Sequence, residues 1–494
     1  MTCNPCCLYQ IKLKYRAIIN LMRRIFTAIL FSLCFCAYAG AVTKVACIGA
    51  SITYGATVEN REQNSYPAQL QKFLGANYQV TNYGVSGTTL LYNGNLPYIK
   101  TREYQFALSG NPDIVFIDLG GNDSKLINRP YLKEYEQNYH TLIKSFAALP
   151  SHPRIILLLP VVSFVTDTTG IWDPVIVKDI IPKIQQVAYD ENLEVLDIHS
   201  LLVNHPEMLA DKIHPNAEGS CIIARRLYEQ VTLKKDTSYD IFTRIDQQKK
   251  VSSFYGYACA DFLLNGHECK VVKPKAAANG HPWIWRARFW GHEPQTDIAL
   301  LERGYHVVYC DVVELFGNTE AITRWNNFYS LLYHSGLAKK TTMEGMSRGG
   351  VYVFNWAAVN PKKVACVYVD NPVLDLRSWP GGMGREAPSP AERQQFEDDY
   401  QLKTDSDIKN FKGSPIDKVK QIVKGKYRIL VLCADADEAV PPEENTLLFE
   451  KKIKELNGNI TVMHKPGFKH HPHSLPNPTP IVQFILNLEE NMGK

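Results

Sequence analysis

Five short apolar runs, KVACIG, YQVTNYGV, DIVFIDLG, RIILLLPVV and LEVLDIH, follow one another between residues 44 and 199, with amphipathic stretches such as SYPAQLQKFL and NAEGSCIIARRLYEQV among and after them. Each run is too short for a helix, and most are apolar at successive positions, as strands covered on both faces are. Alternation of this kind folds as a parallel sheet with helices on both sides. A second series begins near residue 251 with CKVVKP, YHVVYCDVV, KTTMEGMS, KVACVYVDNP, RILVLCADAD and ITVMHKPG. The chain therefore reads as α/β, with two doubly wound units at 42–231 and 251–494. The charged stretch TLKKDTSYDIFTRIDQQKK, residues 232–250, lacks apolar periodicity and reads as the linker. A length of 494 residues with 45% hydrophobic content can fill two or three cores at about 150 residues per domain. Between Pro380 and Tyr427 lies a charged interruption containing SPAERQQFEDDY, in which Ser389, Pro390 and Glu392 read as a helix start. A helical insertion over the sheet is expected there, in a position suited to covering a site.

Residues 1–41 read as an export leader with an upstream extension. Arg23 and Arg24 precede the apolar run IFTAILFSLCFCA and the small-residue stretch AYAGA, which suits a signal peptidase. The run is too short for a stable membrane span, and Met22 offers an alternative start. The bulky Phe35 before Cys36 argues against a lipid-anchored cysteine. This segment holds five basic residues and no acid, so the chain's net +4 becomes −1 without it. Nothing in that balance points to nucleic acid. An exported protein, periplasmic or extracellular, with no membrane span after leader removal is expected. Seven of the twelve cysteines lie beyond the leader. Cys47, Cys310, Cys366 and Cys433 sit in strand-like runs as small hydrophobes, and Cys259 and Cys269 could pair in an oxidising compartment.

Ser51 closes the first apolar run in KVACIGASITYG. A nucleophilic serine needs a base, an acid to orient that base, and donors for the oxyanion. Each has a candidate at the end of a later strand: Gly84 in NYGVSG and Asn122 in LGGND as donors, and Asp211 and His214 together in DKIHPN. Asp197 and His199 form a rival pair, read as facing one way within the last strand. In order and spacing, Ser51, Gly84, Asn122 and Asp211 with His214 resemble the four blocks of the SGNH (GDSL-like) hydrolases, over residues 44 to about 231. SYPAQLQ, HPNAEG and NPDIVFIDLGGNDSK look most like the sialate-O-acetylesterase-type branch. The resemblance implies a flavodoxin-like sheet, Ser51 as nucleophile, His214 as base, Asp211 orienting it, and oxyanion donors from the Ser51 and Gly84 N–H groups and Asn122. Ala50 departs from the pattern, which usually has Asp or Asn before the serine.

GMSRGG, residues 345–350, fits GxSxG between the strand-like TTMEG and the helix-like VYVFNWAAVN, the setting of a nucleophile elbow. Downstream lie Asp435 and Asp437, then His470, His471 and His473. Residues 251–490 resemble an α/β-hydrolase of a bacterial carbohydrate-esterase-like group, through GHPWIWRARFWG and VDNPVLDLRSWPGG. The resemblance implies Ser347 as nucleophile and Asp437 as acid, four residues before Pro441, with Asp370 the runner-up. It implies His470 or its neighbour His471 as base. The oxyanion donors would be the Arg348 N–H and one from the loop KPKAAANGHPWIWRARFWG, near Trp283. Arg286 and Arg288 in that loop read either as packed scaffold or as a platform for sugar rings and uronate carboxylates. The three histidines could also suggest a metal, but no carboxylate or cysteine with ligand spacing stands beside them, so no metal site is assigned.

Together these features point to an exported bimodular carbohydrate esterase acting without a cofactor on acylated carbohydrate. The first unit would remove acetyl groups, and the second a methyl-uronate or another acyl ester. A chain with one active unit and one glycan-binding or scaffolding module is the first alternative, and a lipid esterase the second. Against the latter, the inserted segment is heavily charged and contains no long apolar lid.

Overall fold

The computed structural model describes residue 22, residues 42–385, residue 387 and residues 389–487. Apart from Met22, the leader expected at 1–41 lies outside these residues. The five apolar runs form five parallel strands: β1 (Thr43–Gly49), β2 (Tyr78–Gly84), β3 (Ile114–Asp118), β4 (Arg154–Leu159) and β5 (Glu194–Asp197). Their order is β2-β1-β3-β4-β5, a flavodoxin-like sheet. Alternate residues of β1 serve opposite faces. Val45 and Cys47 pack with Leu70, Ile223 and Leu227, and Ala46 and Ile48 with Tyr139, Ile143 and Ile184. The strand order reverses beside β1, which opens a crevice at the C-terminal ends of β1 and β3. Ser51 follows β1, and Asn122 follows β3.

The second sheet has nine strands and is mixed. Strand β6 (Lys235–Asp236) lies outside it, paired with β10 (Ala277–Ala278). An antiparallel meander of β7 (Lys250–Phe254), β8 (Tyr257–Leu264) and β9 (His267–Lys273) joins β12 (His306–Cys310). From there β11 (Trp283–Ala287), β13 (Thr341–Met346), β14 (Val364–Asp370), β15 (Arg428–Ala434) and β16 (Ile460–Lys465) continue in parallel with β12. Two of these features depart from the sequence reading. The β7–β8 hairpin went unread, and β11 lies in a segment read as loop. The insertion does form a helix, Pro390–Tyr400, whose Ser389 Oγ accepts from the Glu392 N–H at 3.2 Å. Its Phe396 packs with Phe316, Leu376 and Val440.

Residues 232–250 are docked rather than free. Tyr239, Ile241 and Ile245 are buried, and Asp236 meets His281 Nε2 at 3.0 Å. The two sheets also share one apolar core. Ile184, Val187 and Ala188 from the first meet Phe254, Tyr257 and Leu300 from the second within a single cluster. Polar links follow the same seam. Glu302 Oε2 accepts from Arg226 Nη2 at 2.6 Å, Glu302 Oε1 accepts from the Asp197 N–H at 2.7 Å, and Arg303 forks onto Glu229 at 2.7 and 2.9 Å.

All seven described cysteines are free thiols. Cys259 stands opposite Val272, and Cys269 opposite Phe262. Residues 259 and 262 are an odd number of positions apart on β8, so the two thiols project from opposite faces. The pairing considered from sequence is thereby excluded.

Candidate active sites

Ser51 begins the short helix Ser51–Tyr54 directly after β1, so its N–H has no acceptor within the helix. Its Oγ lies 2.8 Å from His214 Nε2, and His214 Nδ1 lies 2.6 Å from Asp211 Oδ2. The other Asp211 oxygen accepts from the Ile213 and His214 N–H groups at 3.0 and 2.8 Å. Lys212, at a φ of 70°, makes the tight turn that lets one aspartate hold both the ring and the backbone of His214. Partial burial pushes the Asp211 carboxyl up, but the His214 ring and these N–H donors outweigh it and hold the group below the usual carboxylate range. The acid therefore stays ionised beside the imidazole.

Asn122 is buried, and its Nδ2 donates to the Thr88 carbonyl at 3.0 Å, leaving one amide hydrogen for another acceptor. Ser51 and Asn122 line a narrow cavity of about 20 Å³ with Ala50, Val161 and Ile213. That space holds a methyl-sized group and little more. Asp118 lies at the same cavity, where burial lifts its carboxyl to about 6 against a hydrogen bond from Thr53 Oγ1.

Two sequence assignments in this unit are corrected. The Gly84 N–H donates to Asn82 Oδ1 at 2.9 Å and so does not face a substrate oxygen. Glycine is needed there for packing, since a Cβ would sit 2.2 Å from the Tyr54 nitrogen. The rival Asp197–His199 pair is split: β5 ends at Asp197, whose Oδ1 accepts from the Ser200 N–H, and His199 Nε2 lies 3.1 Å from Asp173 instead.

In the second sheet Ser347 follows β13 at a φ of 50°, the strained turn expected of an elbow, and the helix Gly349–Val359 begins beyond it. Gly349 is required by close approach, because a Cβ there would lie 2.7 Å from the Ala287 carbonyl oxygen. Ser347 Oγ lies 3.0 Å from His470 Nε2, and His470 Nδ1 lies 2.7 Å from Asp437 Oδ2. Asp437 Oδ1 accepts from the Val440 N–H at 2.9 Å. Of the two candidate bases the structure brings His470 to the serine. His471 is exposed; burial first, then the neighbouring His473, His470 and His292, hold its imidazole below its ordinary value. Asp370 is not beside His470. It is buried against Lys465 Nζ at 2.9 Å and accepts from the Ser474 N–H at 2.6 Å.

Trp283 is also corrected, and of the two readings of Arg286 the structure takes the scaffold one. Trp283 opens β11 at the end of the sheet away from Ser347, and its indole donates to the Ala338 carbonyl. Arg286 is 1% exposed and bonded to Asp297 at 2.6 Å, with Glu344 at 3.4 Å, which makes it scaffold. Arg288 is engaged by Glu314 at 2.7 Å. The residues that line the cavity of about 580 Å³ around Ser347 and His470 instead include Phe289, Trp290, Arg348, Trp379 and Glu392. Arg348 lies over the Trp379 ring at 5.3 Å and pairs with Glu392 of the inserted helix at 3.2 Å. The sequence alone assigns a role only to the N–H of Arg348. Its side chain and Glu392 were findable from the SRGG motif and the capping sequence, but their meeting was not.

Residues 47–220 match the model of the GDSL-like Lipase/Acylhydrolase family. An acetylxylan esterase of Xylanibacter ruminicola is 39% identical over 195 residues, covering 36% of this chain and 40% of that protein. The chain thus spans about two fifths of the length of this curated relative. Among solved structures, acetyl xylan esterase 1 from Thermoanaerobacterium sp. JW/SL YS485 is 17% identical with a TM-score of 0.36, covering 53% of this chain and 98% of its own. Dipeptidyl peptidase 4 of Porphyromonas gingivalis is 13% identical with a TM-score of 0.35, covering 50% and 36%. No helix among the described residues is long and apolar enough to cross a membrane.

Proposed function

We propose that the chain is an exported carbohydrate esterase with two serine sites, the first removing acetyl groups from a glycan and the second cleaving a methyl-uronate or larger acyl ester. The observation that carries the reading is the pair of hydrogen-bonded relays Ser51–His214–Asp211 and Ser347–His470–Asp437. In each, the imidazole Nε2 takes the serine proton as Oγ attacks the ester carbonyl, then returns it to the departing alkoxide, which is the sugar oxygen for an acylated sugar and methoxide for a methyl-uronate. Water, deprotonated by the same nitrogen, clears the acyl-enzyme. The aspartate holds Nδ1–H and balances the imidazolium.

At the first site the developing oxyanion would face the Ser51 N–H and the Asn122 amide; losing one such donor costs about 3–4 kcal/mol of transition-state stabilisation. The cramped cavity suits an acetyl methyl, and the similarity to an acetylxylan esterase supports the same substrate class. At the second site the donors would be the Arg348 N–H and an N–H of the turn after β11, next to Phe289. The larger cavity favours a bulkier group. Export is supported by the leader-like sequence of residues 1–41.

The test assays Ser51→Ala and Ser347→Ala separately on acetylated xylo-oligosaccharide and on a methyl-esterified uronic oligosaccharide. Acetate release should vanish only in the first variant, and release of the second leaving group only in the second. Acetate release that survives Ser51→Ala overturns the assignment, and loss of all activity in one variant alone leaves the other unit as a binding module.

A further inference from the structure

We propose that His470, His471 and His473, with His292 at the rim, form an inhibitory site for a borderline-soft divalent metal ion such as Zn²⁺, and that its occupation disables the Ser347 centre. One ring nitrogen from each of the three lies within 4.8 Å of the others. The ring centroids are 4.8–4.9 Å apart with planes at 75–82°, so the imidazoles stand edge to face around a common point rather than stacking. His292 joins them at 6.0 and 6.1 Å from His471 and His473.

The second observation is the set of partners behind the rings. His470 Nδ1 is held by Asp437 at 2.7 Å, and His473 Nδ1 faces Asp370 at 3.4 Å. A carboxylate on the far nitrogen fixes the tautomer and turns the Nε2 lone pair outward, which is how proteins prepare histidine for a metal. These carboxylates come from residues distant in sequence, which is why the histidine run alone did not reveal the site.

Zn–N bonds of about 2.0–2.1 Å in a tetrahedron place ligand nitrogens about 3.4 Å apart, so the rings must close in by roughly 1 Å. The exposed His471 is free to turn, and the open cavity leaves a fourth position for water. Three neutral nitrogen donors select Zn²⁺, Cu²⁺ or Ni²⁺ over the oxygen-seeking Mg²⁺ and Ca²⁺. The lone pair a metal would take from His470 is the one that receives the Ser347 proton, so the ion removes the base. Inhibition rests on the esterase reading of Ser347; metal binding does not.

The experiment titrates chelator-treated full-length protein with Co²⁺ and follows the visible ligand-field absorption of a four-coordinate site. In parallel, labelling of Ser347 by a fluorophosphonate probe is measured with and without Zn²⁺. A cobalt band is expected, together with labelling slowed at least about tenfold by Zn²⁺, restored by chelator and untouched by Mg²⁺ or Ca²⁺. His471→Gln, at an exposed position, should weaken Co²⁺ binding at least about tenfold and relieve the Zn²⁺ effect. Cys433, Asp435 and His464 form another group of donors, so His464→Gln is the control and should change neither readout. Absence of the band, or a band lost in His464→Gln and kept in His471→Gln, overturns the proposal. If Ser347 resists the probe even without metal, the esterase reading fails, and the cobalt arm still decides the metal site.

Discussion

Glu302, with Glu229, is one of the carboxylates that join the two units, and its removal tests whether they stand on one core. Its side chain is 2% exposed and meets an Arg226 that is 4% exposed. Taking one partner from a buried pair costs about 3–5 kcal/mol, because the remaining charge stays out of water uncompensated. Here Glu229 still reaches Arg226 at 3.2 Å, but it also serves Arg303, and the Asp197 N–H loses its acceptor as well. The low end, about 3 kcal/mol, is therefore expected for Glu302→Ala, more than a hundredfold in the folding equilibrium. The assay is urea unfolding followed by tryptophan fluorescence, which reports mainly on the second sheet, and by acetate release at the Ser51 site. Both probes should move together to lower urea. The double change Arg226→Met with Glu302→Leu should cost less than Glu302→Ala alone, since it leaves no orphaned charge. A loss below about 1 kcal/mol, or a fluorescence transition that shifts while the Ser51 activity transition stays, refutes the reasoning.

Burial lifts Asp118 from 3.8 to about 6, so the folded chain keeps a proton there that the unfolded chain has released. Stability therefore falls as pH rises through this window, by up to about 3 kcal/mol at 1.36 kcal/mol per unit. Asp118→Asn should reduce the change in Tm between about pH 4 and pH 7, with Asp123, also lifted to about 6 by burial, keeping the rest; an unchanged slope contradicts this. Asp437→Asn should lower turnover at the Ser347 site about 10⁴-fold with the fold intact. Asp370→Asn should instead destabilise the chain by about 3–5 kcal/mol, through the buried Lys465, while turnover per folded molecule holds. Kinetics and urea unfolding of the two variants distinguish the roles, and the reverse pattern would make Asp370 the acid.

All five strands of the first sheet were legible: Val, Ile and Leu mark β1, β3 and β4 as buried on both faces, and the half-buried edge strand β2 was found by its place in the alternation of short runs. So were Ser51, Asp211 and His214, whose chemistry depends on residue type and on strand ends. Strand β11 was hidden by Arg286, a charge that reads as surface until Asp297 and Glu344 are seen to neutralise it from elsewhere in the chain. Trp283 was misplaced with it, since a residue at the start of a parallel strand cannot serve a site at its end. The Gly84 N–H was lost to Asn82, a contact two residues away that sequence leaves undetermined. The choice between His470 and His471 needed coordinates, because neighbouring residues in a turn differ only in direction. The 232–250 stretch misled through its charge, as its Tyr239, Ile241 and Ile245 are spaced too irregularly to form a pattern.

The central claim is that the chain carries two independently activated serines, and intact-mass analysis after reaction with a fluorophosphonate tests it most directly. Two adducts per chain are predicted, mapping to Ser51 and Ser347, with one lost in Ser51→Ala, the other in Ser347→Ala, and neither formed in a His214→Ala, His470→Ala double variant. A folded chain that takes up one adduct, or that reacts at other serines, would contradict the account.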